Sequence, residues 1–118
     1  MNKDIVGEFV HFYYKCLNDS KTELLVPHLK DNSHFIRHNI ELHGTHNIVS
    51  QITQNCVKYS PVKIDIMING DRRANILITG TIHNGNTSTH KFSEYLLFSF
   101  SNKKEYWLHS SILHLINE

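Results

Sequence analysis

Apolar residues recur along this chain with two different periods, and the change between them divides it. Ile5, Val6, Phe9, Val10, Phe12, Tyr13, Cys16 and Leu17 return at every third or fourth position, which predicts an amphipathic helix over 4–17. Asn18-Asp19 ends it. Ser20-Lys-Thr-Glu23 reads as a capping box that opens a short second helix, and Pro27, which lacks an amide proton, kinks or stops that helix. Two short strands, 33–37 and 40–43, flank a turn at Asn39. Gly44-Thr45 then breaks the chain and caps a third helix whose narrow apolar side is Ile48, Val49 and Ile52.

From Pro61 the period becomes two, as in strands, where successive side chains leave opposite faces. Val62, Ile64, Ile66 and Ile68 alternate with Lys63, Asp65, Met67 and Asn69, and after a turn at Gly70-Asp71 the series Ala74, Ile76, Ile78, Gly80, Ile82 alternates with Asn75, Leu77, Thr79, Thr81, His83. Asn84-Gly85-Asn86 is a hairpin signal, because Asn and Gly tolerate positive φ. Residues 92–101 follow with Phe92, Glu94, Leu96, Phe98 and Phe100 on one face and Ser93, Tyr95, Leu97, Ser99 and Ser101 on the other. The last strand, 106–116, sets Trp107, His109, Ser111, Leu113 and Leu115 against Leu108, Ser110, Ile112, His114 and Ile116. Helices first and long antiparallel strands second give an α+β fold, a single domain over 1–118 with a curved sheet wrapped around the N-terminal helices. The expected inner wall is Ile76, Ile78, Phe92, Leu96, Phe98, Leu108, Ile112 and Ile116. The opposite face carries Leu77, Thr79, Tyr95, Leu97, His109, Ser111, Leu113 and Leu115, greasier than a surface meant only for water. Several apolar side chains on neighbouring strands form a patch of the kind that marks an interface, so this face is expected to bind a second protein chain.

Composition narrows the function. A 40% hydrophobic chain with 19% charged residues is not disordered, and a net charge of +1 supplies no field that would draw in nucleic acid. Lys103-Lys104 and Arg72-Arg73 are turn charges without interleaved aromatics, so no direct nucleic-acid binding is expected. Cys16 and Cys56 lack CxxC spacing, and a reducing compartment is the default. Nothing at the N-terminus reads as a signal peptide, and no run approaches the ~20 apolar residues of a membrane span. A soluble intracellular protein is expected.

The order of elements and several local strings resemble the nuclear transport factor 2 family. Phe9-Val10 with Tyr13-Tyr14 is similar to that family's first helix. Ser33, Gly44 and Ile48 are similar to its paired short strands and the glycine opening the third helix. Gly80-Thr-Ile-His-Asn-Gly85, then Phe92-Ser-Glu-Tyr-Leu-Leu97, resembles its central hairpin, and Trp107 opens the final strand as there. The resemblance implies a cone-shaped fold that pairs through its open sheet face, with Leu77, Tyr95 and Leu113 in the pairing surface. It also implies a non-enzymatic role in nucleocytoplasmic transport, in nucleus and cytoplasm and at the nuclear pore, with Phe-Gly repeats as further contacts. The family's classical member carries Ran-GDP with surface acids. Its Trp-Glu pair corresponds here to Arg37-His38, its acidic turn positions to Gly85 and Thr87, and a final-strand arginine to Leu115. These departures speak against Ran-GDP carriage. They favour the profile of the small subunit that pairs with an mRNA-export receptor carrying a similar domain, with self-pairing as the alternative.

Two other chemistries compete with that reading. The same fold hosts enzymes, for which Tyr13, Tyr14, Glu94 and His114 are the candidates inside the cone. Glu94 among phenylalanines would have a raised pKa if unpaired, whereas a hydrogen bond to a backbone amide or a tyrosine hydroxyl would make it structural, and the structural role is favoured. His34, His38, His43 and His46 invite a metal, but four residues of strand span ~13 Å, too far for His34 and His38 to share an ion. No metal, cofactor or catalytic residue is expected.

Overall fold

The computed structural model describes residues 3–37, 39–54, 57–84, 88–101 and 105–116. Helix α1 spans Lys3–Asn18, a 3-10 helix Thr22–His28, strands β1 and β2 His34–Arg37 and Ile40–His43, and helix α2 Thr45–Gln54. Strands β3 (Val57–Asn69), β4 (Arg73–Asn84), β5 (Ser88–Phe100) and β6 (Tyr106–Ile116) follow. They form one curved, unclosed sheet of order β2-β1-β6-β5-β4-β3, antiparallel throughout except where β1 runs parallel to β6. Among the described residues no helix is long and apolar enough to cross a membrane.

The apolar stripe of α1 lies in the concavity of the sheet. Val6, Phe9, Val10, Tyr13, Tyr14, Cys16 and Leu17 are buried, and Phe9 packs on Phe98 with ring centroids 4.8 Å apart. Burying side chains of this size contributes about 1.5–3 kcal/mol each. The far end of α1 is fixed by Asn18, whose amide donates to the Tyr59 carbonyl at 2.8 Å and accepts from the Tyr59 N–H at 2.7 Å, a two-way clamp on β3.

Three local readings change. No capping box forms at Ser20. Ser20 instead takes positive φ, its N–H reaching Leu17 O at 3.4 Å while Lys21 N–H reaches Cys16 O at 2.9 Å. This pair of bonds closes the C-terminus of α1 in a Schellman motif, so Ser20 ends one helix rather than starting the next. The third strand begins at Val57, four residues before Pro61, and Pro61 is tolerated because β3 is an edge strand with a register shift between Pro61 and Lys63.

The largest change is in β6. Leu97 pairs with Ser110, but Phe98 pairs with Leu108, so His109 is an extra residue opposite no partner. A β-bulge of this kind reverses the alternation beyond it. Leu108 therefore faces inward as expected, but so do Ser111 and Leu113, which lie beside Phe35 and Arg37 of β1 and are buried, Leu113 with only 5% exposed. Ile112 and Ile116, expected in the inner wall, are exposed instead, and so is His114. The other six expected wall residues, Ile76, Ile78, Phe92, Leu96, Phe98 and Leu108, are buried.

Candidate functional site

The deepest polar feature lies where α1 meets the sheet. Glu94 on β5 is fully buried. Tyr14 donates to Glu94 Oε1 at 2.6 Å, and Tyr13 donates to Oε2 at 2.7 Å. Arg37 Nη2 on β1 reaches the same Oε2 at 2.8 Å and also donates to the Tyr13 hydroxyl at 2.7 Å. Ser111 on β6 donates to Oε2 at 2.5 Å while accepting from Arg37 Nη1 at 2.7 Å. Consecutive tyrosines on α1 thus serve the two oxygens of one carboxylate, and the β6 bulge is what turns the Ser111 hydroxyl into the same cluster.

Such a cluster is stable only as a unit. Burying a carboxylate or a guanidinium alone costs several kcal/mol, and mutual attraction offsets that only with good geometry and further hydrogen bonds. Burial drives the Tyr13 and Tyr14 hydroxyls well above the ordinary tyrosine range, and the Glu94 charge adds to the shift. Both therefore stay protonated as donors. Burial opposes the Arg37 charge, but the Glu94 carboxylate beside it more than compensates and holds its pKa above the usual guanidinium value. Burial pushes the nearby Tyr59 up to about 12.

The network sorts the catalytic candidates. Tyr13, Tyr14 and Glu94 come together, with Glu94 bonded by tyrosine hydroxyls, whereas His114 is on the opposite side of the sheet. Isomerase chemistry of the ketosteroid type needs a carboxylate free to take a proton from carbon; here both oxygens are occupied. Arg37 was the residue sequence reasoning missed. Expected only as half of a departed surface pair with His38, it is buried as the counter-ion of Glu94. Two signals were present: Arg37 shares parity with Phe35, and a buried glutamate requires a cation. His38, Gly85 and Thr87 lie outside the described residues, as does Cys56.

The outer face of the sheet is the second feature. Of the residues expected there, Leu77, Thr79, Tyr95 and Leu97 do occupy it, Leu77 with 46% of its surface exposed. His109 sits half-buried in the bulge, and Leu115 shares the inner parity with Phe92 at the rim. Ser111 and Leu113 are removed from this face by the bulge, and Ile112 (36% exposed) takes their place opposite Tyr95. The strand registers then align one row across all six strands: Asp65, Leu77, Tyr95, Ile112, Ile36 and Glu41. Four apolar or aromatic residues are flanked by an acid at each end. Beside Leu77 and Tyr95, exposed Met67 helps line a groove of about 450 Å³, where the Tyr95 hydroxyl donates to the Asn75 side chain.

A curved half-open sheet with a sealed polar interior and an apolar outer face defines a cone-shaped α+β domain. The family model of the nuclear transport factor 2 (NTF2) domain matches residues 5–115, and the chain belongs to that family. No curated protein matches the sequence. Among solved structures, nuclear transport factor 2 from Cryptosporidium parvum superposes with a TM-score of 0.82 at 17% identity, covering 93% of this chain and 90% of that one. The yeast UBP3-associated protein BRE5 gives 0.82 at 21% identity over 98% and 97%. A protein from Shewanella frigidimarina, assigned provisionally as a ketosteroid isomerase, gives 0.78 at 11% identity over 92% and 93%. At these identities the likeness is one of fold.

Proposed function

We propose that this chain is a non-enzymatic pairing domain that binds a second NTF2-like domain, sheet face to sheet face. The observation that carries the reading is the row Asp65–Leu77–Tyr95–Ile112–Ile36–Glu41, apolar across the four central strands of the outer face and closed by an acid at each end. A partner sheet covering such a band gains about 25 cal/mol for each Å² of apolar surface removed from water. The engagement of both Glu94 oxygens weighs against turnover in the cone. Arg37, turned inward, cannot serve a surface cluster for Ran-GDP. The partner the sequence resemblance favours is an mRNA-export receptor with its own similar domain; with that partner the chain would work in nucleus and cytoplasm and at pores lined with Phe-Gly repeats. The name of the yeast relative, a protein associated with UBP3, supports partner binding as a use of this fold.

The test is light scattering of the purified chain over a concentration series, alone and mixed with the NTF2-like domain of an export receptor from the same source. Wild type forms a 1:1 complex with that domain, and Leu77→Glu weakens it by at least roughly tenfold, or about 1.4 kcal/mol. A chain that stays monomeric and ignores the receptor domain ends the reading. A tight homodimer broken by Leu77→Glu keeps the face but replaces the partner with a second copy.

A further inference from the structure

We propose that His34, His43 and Glu41 form a binding site for a zinc-like divalent transition metal on the outer face of the β1–β2 hairpin. The hairpin register sets His34 directly opposite His43 and Glu41 opposite Ile36, two residues along each strand. Since Phe35 and Leu42 point into the core, the alternate positions put all three potential ligands on the same outer side. One ligand atom from each residue lies within 4.8 Å of those of the other two.

The chemistry of the donors fits. Two imidazoles and one carboxylate are a His₂Glu set, which holds zinc with a fourth position left for water or for a partner's side chain. His34 Nε2 is shielded from solvent and makes no hydrogen bond; Glu41 Oε1 stands 3.3 Å away, an ion-pair contact only if the imidazole is protonated. A lone pair on that nitrogen has a use if it meets a cation. The imidazole rings are stacked with centroids 4.1 Å apart and planes 21° from parallel. Ligands of a tetrahedral ion at about 2.0–2.1 Å stand ~3.3 Å apart, so closure requires side-chain rotations of about 1 Å while the paired backbone stays fixed. Charge also fits, since neutral histidines and one carboxylate leave a dication underneutralised and open to a further ligand. His34 and His43 lie in the row next to the apolar band, alongside Ser110 and Leu97, and Glu41 stands at the end of the band itself.

The experiment uses the full chain without a histidine tag, stripped of metal by chelator, and titrated with Co(II) and then Zn(II). One equivalent of Co(II) should give the visible absorption of a four-coordinate ion and be displaced by Zn(II). Losing even a group behind a ligand costs about 10–100-fold in affinity, so His43→Ala should weaken binding by at least roughly tenfold. Glu41→Gln should weaken it less, and His90→Ala, remote on β5, should leave it unchanged. Circular dichroism of each variant separates a lost ligand from a lost fold. Equal affinity for wild type and His43→Ala, binding spread over several equivalents, or no saturable binding would overturn the proposal.

Discussion

Glu94 and Arg37 are each intolerable alone in the core and acceptable together. Removing one partner of a buried ion pair costs about 3–5 kcal/mol, a large part of the ~5–15 kcal/mol that holds a domain of this size folded. Glu94→Gln should therefore lower the urea midpoint sharply, and Arg37→Met should do so as well. The double variant should be less destabilised than the sum, because neither charge is then stranded. Strict additivity would mean that the pair does not act as a unit. The tyrosines give a pH test of the same cluster. Their folded pKa values lie above the ordinary value of 10.0, so the stability they supply as protonated donors is complete below pH ~10 and drains away as pH rises further. Alkaline titration followed by phenolate absorbance should show Tyr13 and Tyr14 ionising only with loss of the fold. Phenolate signal from all five tyrosines before any loss of circular dichroism would contradict the burial.

The elements show how single backbone events redirect whole faces. The extra residue at His109 moves Ser111 and Leu113 inward and Ile112 outward, and through Ser111 it completes the Glu94 cluster. Nothing in the alternation of 106–116 announces it, because both faces of that strand carry leucine or isoleucine and serine, and a one-residue slip costs the pattern nothing. On the other side of the sheet, Gly80 marks where β3 and β4 close up. A Cβ there would lie 2.2 Å from Ser60 O and 2.8 Å from Pro61 Cα, both backbone atoms that cannot swing aside. Gly80→Ala should destabilise the chain by at least ~1–3 kcal/mol, the cost of overpacking, read as a lower midpoint in urea. A wild-type midpoint would show that the strands can part without loss.

In the whole molecule, two leucines that share a face on alternation alone have opposite fates. Leu77→Glu places a charge on an exposed band and should act on association while leaving thermal stability near wild type. The same change at Leu113, which is buried beside Arg37, should unfold the monomer before association can be measured. Light scattering and a melting curve on both variants separate interface from core, and a stable, non-associating Leu113→Glu protein would reverse the face assignment.

The α1 stripe, the long strands, most of the inner wall and the outward side of β4 and β5 could be read from residue order, because periodic burial is a local consequence of backbone geometry. The α+β layout and the family resemblance rest on those repeats. The Arg37–Glu94 pairing and the reversal in β6 could not. Each joins strands whose register is fixed by the packing of all the others, and hydrogen bonding across a sheet is blind to how far apart its partners lie along the chain.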